Sequence, residues 1–572
     1  MASSKSLPAH PSSMQIPFLI CLLLISLILL LSVLSIKPQK YPPPQFTHRL
    51  PRHEEQEEIT EPPAWFDFVA KHLKTDSVKV GLVNIDQKHD AGLLQHLPPP
   101  VETVPVSFDH VDENLKWADF FPEWIDEEQK RGPPRCPRMP MPETRRDLNV
   151  VLARVPCGRK KEGVRDVFRL QVNLVVANLA VESGWLNDDS HQTVFVVFIG
   201  RCGPMIEIFR CDDLVTHEGE YWVYKPHLWR LRQLTLMPPG SCQIASNSAE
   251  TGKEAWRPYM SQSAPLKSNN STIRAPRVAY ATVLHSSEAY VCGAIALAQS
   301  VLLTLKNHPL RANADLILLA DKSIGPKSTR GLQAAGWKIK RIERILSPFA
   351  RKNSYNRWNY SKLQLWKLTE YDKVIFIDSD LLLLKNIHDF SFHPQLSAAP
   401  NDFSLFNSGL MIIEPSECMF EDLMQKRFKV ESYNGGDQGF LNEIFTWWHR
   451  LPSKLNHLKF HERRGNLYEE KETELEGVYA IHYLGLKPWL CYRDYDCNWD
   501  LKDHQIFASD LAHRKWWQVY GKMPKDLQSY CGLTKKMDQR LMTWRGRAKN
   551  ASLAGGRWKI KIRDPRRKHF VA

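Results

Sequence analysis

Asp378 and Asp380 stand one residue apart in the run Val374–Ile387, VIFIDSDLLLLKNI, with apolar stretches on both sides. A buried charge without a partner is costly, so two carboxylates in this setting call for a counterion. On an extended segment, alternate residues point to one side. Two hard oxygen ligands at that spacing can hold Mg²⁺ or Mn²⁺ and leave positions open for diphosphate oxygens. As a bare triplet, D-x-D is equally a loop or cap pair; its place at the end of a strand favours the ligand reading.

Three later segments carry further chemistry. FNSGLMIIEP (Phe406–Pro415) sets Asn407, Ser408 and Gly409 just before an expected strand, where an amide can bond a sugar hydroxyl. NGGDQGFLNE (Asn434–Glu443) reads as a glycine turn entering a helix, with Asp437 and Gln438 near its start. HYLGLKPW (His482–Trp489) offers His482 as a third metal ligand and Lys487 as a diphosphate counterion. Each has a plainer role: Asn407 as a turn residue, Asp437 as a helix cap, His482 as a packed core histidine.

The elements that must position these groups begin near Arg277. RVAYATVLH, ADLILLAD, GWKIKRIERI and DKVIFID read as strands, and SEAYVCGAIALAQSVLLTLKNH and SKLQLWKLTEY as helices. Alternation of this kind predicts an α/β domain with a largely parallel sheet. Ligands of such sheets bind beyond the carboxyl ends of the strands, where Asp378 falls.

At 572 residues the chain is expected to hold more than one domain. Residues 1–15 read as a cytosolic tail and Ile16–Ile36, IPFLICLLLISLILLLSVLSI, as an uncleaved transmembrane signal anchor. Residues 37–147 are rich in proline and charge and read as a stalk. Residues 148–245 carry short β-branched and aromatic runs, among them FRLQVNLVVANLAV, and read as a small β-rich domain of unknown role. A polar linker (246–274), the α/β domain (275–535) and a basic C-terminal tail (536–572) follow.

The basic residues after the anchor do not favour a lumenal C-terminus under the positive-inside rule. The N-x-S/T sequons at Asn269, Asn270, Asn359 and Asn550 do favour it. Ten cysteines lie outside the span, an even number compatible with disulfides, and Cys491 and Cys497 are spaced for a local pair. The net charge of +14 suits anionic partners. A nucleic-acid protein would rest on that charge and the basic tail alone, and the membrane span argues against it.

In this order on one domain, SKLQLWKLTEYDKVIFIDSDLLLLKNI, FNSGLMIIEP, GGDQGFLN and HYLGLKPW resemble glycosyltransferase family 8, whose best-known member is glycogenin. The resemblance runs from about Val278 to Trp499. With the anchor, the stalk and the extra β-rich domain, the whole chain is similar to the plant glycogenin-like branch. That branch contains the UDP-glucuronate:xylan α-glucuronosyltransferases of the Golgi.

The resemblance implies a GT-A (Rossmann-like) fold and a metal-dependent transferase that retains anomeric configuration. It implies Mn²⁺ on Asp378, Asp380 and His482. Lys362 and Lys487 would face the donor phosphates, with Gly485 allowing close approach and Ser379 in the same donor site. Val283, Ser286, Ser287 and Tyr290 would hold uridine. Asn407, Asp437 and Gln438 would line the sugar as the catalytic set, with Gln438 near the anomeric carbon.

Two departures stand out: Asn434 occupies a position where glycogenin has an aspartate, and HYLGLKPW is one residue shorter in its spacing. Loss of that negative charge suits an acidic donor such as UDP-glucuronate. No counterpart of glycogenin's self-glucosylated tyrosine is evident, which points to an external acceptor. The resemblance thus implies a single-pass type II Golgi membrane enzyme with a lumenal catalytic domain. Its partners would be UDP-glucuronate, xylan and other Golgi transferases, with no nucleic acid. Other UDP-sugars, or a non-catalytic subunit of a polysaccharide-synthesis complex, remain open readings.

Overall fold

A computed structural model describes residues 64–571 apart from 74–76, 87–99, 128–135, 158–164, 188–189, 245–275, 307–313, 403 and 461–471. The expected anchor, the first part of the stalk, the linker and the sequons at Asn269 and Asn270 lie outside the described residues. Among the described residues no helix is long and apolar enough to cross a membrane.

The amino-terminal lobe corrects two expectations. Helix α1 (Ala64–His72) falls on PAWFDFVAKHL, where a short helical piece is expected within the stalk, but strands β1 (Val78–Val83) and β2 (Val101–Val106) lie in the stretch expected to be a stalk. With β3 (Val150–Arg154), β4 (Phe195–Ile199), β5 (Leu214–Glu218) and β6 (Tyr221–Tyr224) they build a six-stranded sheet in the order β2-β1-β3-β4-β6-β5. Proline density hid these strands. Pro105 sits on edge strand β2, where a missing N–H is tolerated.

The lobe is α/β rather than β-rich, because β1 to β4 pair in parallel and FRLQVNLVVANLAV is helical. It forms most of α2 (Val167–Gly184), most of whose residues are buried. A helix that is buried on every side, with Arg169, Gln171 and Asn173 buried among its apolar residues, shows no 3.6-residue stripe, so its valines read as strand. MIEIFR is not a strand, and the run after β6 continues into α3 (Leu228–Thr235).

The carboxyl-terminal lobe follows the expected alternation. Strands β7 (Val278–Leu284), β8 (Ala314–Ala320) and β9 (Lys338–Arg341) join in parallel, with α4 (Val291–Thr304) between β7 and β8 and α5 (Pro326–Ala334) between β8 and β9. The SKLQLWK part of SKLQLWKLTEY ends a 3₁₀ segment, Tyr355–Lys367, rather than forming an α-helix. Strand β10 (Lys373–Ile377) is parallel to β7, and a short strand, β11 (Leu381–Leu383), follows the aspartates. Strand β12 (Ser397–Asp402) leads to β13 (Leu405–Ile413), which is antiparallel to β10 and contains Asn407–Gly409 rather than following them. After α6 (Glu417–Lys426) and α7 (Asp437–Ile444), β14 (His449–Arg450) completes the seven-stranded order β9-β8-β7-β10-β13-β12-β14. Strands β15 (His457–Leu458) and β16 (Ala480–His482) join β11 in a small second sheet.

The two lobes share one hydrophobic core, which runs from Val83 and Phe121 to Trp447 and Trp448. Five disulfides join Cys136–Cys242, Cys157–Cys202, Cys211–Cys418, Cys292–Cys531 and Cys491–Cys497. The third links the lobes, and the fifth is the local pair expected from spacing. The basic C-terminal segment is no free tail. Beyond α8 (Asp510–Lys522) and α9 (Lys535–Asn550), Arg566 is buried and donates to the carbonyls of Trp489, Cys531 and Cys491.

Candidate metal and donor site

Strand β10 ends at Ile377, and the backbone N–H of Asp378 donates to the Gly409 carbonyl at 2.8 Å, extending the ladder with β13. Across the small sheet, Leu381 pairs with His482, which places the imidazole beside Asp380. Ligand atoms of Asp378, Asp380 and His482 all lie within 4.8 Å of one another. His482 Nε2 is 3.4 Å from Asp380 Oδ1. A Cβ on Gly409 would meet the imidazole at 2.7 Å, so this strand residue must be glycine for the ring to seat.

The other ring nitrogen is fixed from behind. His482 Nδ1 lies 3.0 Å from Asn456 Oδ1, and Asn456 Nδ2 donates to Asn407 Oδ1 at 2.9 Å. With Asn456 so oriented, the imidazole N–H sits on Nδ1 and the Nε2 lone pair faces the carboxylates, the arrangement metal-binding histidines use. Asn407 also accepts from Gly409 N at 2.9 Å and donates to Asn401 at 2.9 Å. Its oxygen is thus committed to supporting the histidine.

Two lysines line the carboxylates. Lys487 Nζ is 2.7 Å from Asp380 Oδ2 and 6.0 Å from the centre of the Tyr290 ring. Lys362 Nζ bridges Asp378 Oδ2 at 3.1 Å and Asp437 Oδ2 at 2.8 Å. Burial pushes the Asp378 carboxyl up to about 6, against the pull of Lys362. For Asp380, burial is outweighed by the Lys487 ammonium, and the carboxyl is held far below its usual range. Burial of Lys362 is likewise outweighed by Asp378 and Asp437, which keep it protonated.

Asp437 opens α7 at the helix's positive end and accepts from Ser408 Oγ at 2.8 Å. Gln438 Oε1 accepts from Ser408 N at 3.2 Å, and its Nε2 donates to Tyr433 Oη at 2.9 Å. Asn434 Oδ1 accepts from Gly436 N, Gly439 N and Ser432 Oγ at 2.9, 3.1 and 3.1 Å, shaping the turn before α7.

Of the remaining expected residues, Ser379 is buried between the aspartates and Val283 lies half-buried in β7. Ser286, at φ +69°, meets His285 Nδ1 at 3.0 Å and accepts from Arg344 at 3.3 Å. Ser287 Oγ accepts from Ala289 N at 3.1 Å. Gly485, at φ +70°, makes the turn before Lys487, where a Cβ would lie 2.5 Å from Asn498 Oδ1. Contacts join Asp378, Asp380, His482, Lys362, Lys487, Asp437, Gln438, Asn407 and Tyr290 into one site, while Ser286 and Ser287 are tied instead to Arg344 and their own turn.

The reading from sequence missed Asn456, which lies in SKLN, 26 residues before His482, with no local signal. It also missed Tyr433, two positions before the glycine turn. Two other clusters of candidate ligands, around Cys211 and Cys491, use disulfide-bonded cysteines and lack a thiolate. Three carboxylates face two ammonium groups at the first site, and the imidazole presents a lone pair. A divalent cation fits that donor set by charge and by ligand hardness.

Residues 55–242 match the family described as the GUX1-5 N-terminal domain, and residues 281–392 match glycosyl transferase family 8. A putative UDP-glucuronate:xylan alpha-glucuronosyltransferase 4 from Arabidopsis thaliana is 49% identical over 560 residues, 97% of this chain and 98% of that one. UDP-glucuronate:xylan alpha-glucuronosyltransferase 2 of the same plant is 47% identical over 504 residues, 86% of this chain and 81% of its own length. Human glycogenin-1 is 27% identical over 269 residues, 44% of this chain and 74% of glycogenin. The fold is the GT-A-like α/β fold of these transferases, and the chain belongs to glycosyltransferase family 8, in the group of the UDP-glucuronate:xylan alpha-glucuronosyltransferases.

Proposed function

We propose that this protein transfers glucuronic acid from UDP-glucuronate to the xylan backbone with retention of configuration, using Mn²⁺. It would act from the Golgi membrane, held by the span at residues 16–36 with its catalytic lobe in the lumen. The observation that carries the chemistry is the Asp378–Asp380–His482 cluster set between Lys362 and Lys487 in a chain of this family.

A divalent cation on those three residues would supply positive charge to the donor diphosphate. The chain's own groups do the rest. Lys487 stands at Asp380 beside the Tyr290 ring, where it can meet phosphate oxygens as UDP departs. Asp437 is tied on Oδ2 by both Lys362 and Ser408, which makes it a poor nucleophile. That favours a front-face route, in which the acceptor hydroxyl enters on the leaving-group side and its proton goes to the departing phosphate oxygen. Gln438, fixed at both ends of its amide, would lie along that face. Asn434 contributes no charge beside the sugar, which suits a donor that carries its own carboxylate.

The test is transfer by the full chain in detergent with Mn²⁺ and xylo-oligosaccharide, with UDP-glucuronate competing against UDP-glucose, UDP-galactose and UDP-xylose. Glucuronosyl product supports the reading. Product from another donor overturns the named sugar, and UDP binding without any product favours a non-catalytic subunit.

A further inference from the structure

The candidate site has an aromatic margin that no step above uses. Tyr355 is 90% exposed, Tyr433 51% and Phe349 37%. They sit on two neighbouring segments. Asn356 Nδ2 donates to the Asn434 carbonyl at 2.7 Å, and a Cβ on Gly435 would lie 2.8 Å from the Phe349 carbonyl. The first segment is held in shape by Ser347 N donating to Arg357 O at 2.8 Å and Ser354 N to Arg351 O at 3.0 Å. The second leads straight into Asp437 and Gln438.

Exposing one large ring is ordinary, and three on adjoining segments at the margin of a polar site suit a binding surface. Tyr433 reaches the site directly, since its hydroxyl receives the Gln438 amide at 2.9 Å, and the segment of Phe349 and Tyr355 packs on the turn just before Gln438. Pyranose rings carry an apolar C–H face and a polar rim of hydroxyls. Tyrosine matches both, with a flat ring and a hydroxyl at its edge. A neutral polymer of such units needs no cation to bind, and aromatic rings supply the flat faces on which it stacks.

We propose that Phe349, Tyr355 and Tyr433 form the acceptor platform, stacking successive pyranose units of a neutral polysaccharide so that one hydroxyl is presented beside Gln438. The inference rests on the transferase reading above and takes a xylopyranosyl chain as its occupant. Tyr433 has a second duty: its ring holds the sugar while its hydroxyl orients Gln438. Phe349 and Tyr355 only bind.

The experiment compares wild type with Tyr355→Ala, Phe349→Ala, Tyr433→Ala and Tyr433→Phe in the full chain. It reads acceptor KM, donor KM and kcat with UDP-glucuronate and xylohexaose. Xylohexaose binding to the UDP- and Mn²⁺-loaded protein is measured by calorimetry in parallel. Acceptor KM is expected to rise about tenfold for Tyr355→Ala and Tyr433→Ala, with donor KM within about twofold of wild type. Tyr433→Phe keeps the ring and loses the hydroxyl contact, so acceptor KM holds while kcat falls. Tyr355→Trp restores the Tyr355→Ala defect.

Unchanged acceptor KM in both alanine variants, or equal rises in donor and acceptor KM, overturns the platform while the transferase reading stands. Wild type that binds xylohexaose but does not transfer to it overturns the transferase reading, and the platform is then judged on whether the alanine variants weaken that binding. Wild type that neither binds nor glycosylates xylohexaose overturns both.

Discussion

Strands β10 and β13 carry a buried cluster of charges at each end, and the two clusters have opposite uses. At the carboxyl end of β10, Asp378, Asp380 and Asp437 face Lys362 and Lys487. At the other end, Lys373 Nζ lies 2.5 Å from Glu414 Oε1, and Arg210 of the amino-terminal lobe lies 2.7 Å from Glu414 Oε2. Arg210 also pairs with Asp212, and Arg230 with Asp213. Three cations there meet three carboxylates, and the cluster is electrically closed. The first cluster keeps one carboxylate in excess and an imidazole lone pair. Burial and charge pairing are common to both, so neither identifies a site; the uncompensated remainder does.

The largest expected effect separates them by activity. Asp380→Ala should lower transfer by about a thousandfold or more. The melting temperature should fall as well, because Lys487 loses the carboxylate it meets at 2.7 Å, so turnover is read per folded molecule. If Asp380→Ala retained turnover within tenfold of wild type, the excess charge would have no catalytic meaning and the comparison would fail.

Glu414→Gln should do the reverse. It leaves Lys373 and Arg210 buried without their carboxylate, and breaking such a pair costs about 3–5 kcal/mol. Denaturant titration should show that loss, with kcat per folded molecule unchanged. A fall in kcat at unaltered stability would instead mean that the lobe junction takes part in turnover.

How far the sequence reveals these clusters follows from how local each one is. Asp378, Asp380 and their strand are contiguous, and Asn407, Asp437, Gln438, His482 and Lys487 lie in short segments of distinctive composition. Lys373 opens one legible strand and Glu414 follows another, yet they meet only through the β10–β13 register. Arg210 reaches them from a lobe whose α2 hid its periodicity by being buried on every side. The stalk expectation failed for a related reason: prolines mark absent donors, but an edge strand such as β2 can spare one. Asn456 was invisible because its meaning depends on a contact with His482 and not on its neighbours.

That contact gives a smaller effect at the first cluster. Asn456→Ala should release the Nδ1 hydrogen bond that orients the imidazole. Loss of such a partner lowers metal affinity by about 10- to 100-fold. The Mn²⁺ concentration for half-maximal transfer should rise accordingly, while activity at saturating Mn²⁺ recovers. Failure of excess metal to restore activity would assign Asn456 to the sugar instead.

The smallest effect sharpens the closed cluster by its response to acid. His449 on β14 is buried, and among the described residues neither ring nitrogen has a hydrogen-bond partner. Burial, with help from His393 and Lys373 and against Glu414, pulls its pKa down to about 3. In the unfolded chain a histidine titrates near 6.5. Between those values the unfolded state binds the extra proton, so stability is complete above about pH 6.5 and declines as the pH falls toward 3. Over the first unit, from pH 6.5 to 5.5, the loss from this one group is about 1 kcal/mol. Glu414, held low by Lys373, Arg210 and Arg230 despite its burial, adds a second loss only below the ordinary glutamate range near 4.5. The two contributions therefore separate along the pH axis. His449→Leu should flatten the stability curve between pH 6.5 and 5.5 and leave the steeper fall at lower pH in place. Were the wild-type and His449→Leu curves parallel across that first unit, His449 would have no part in the acid response of the lobe junction.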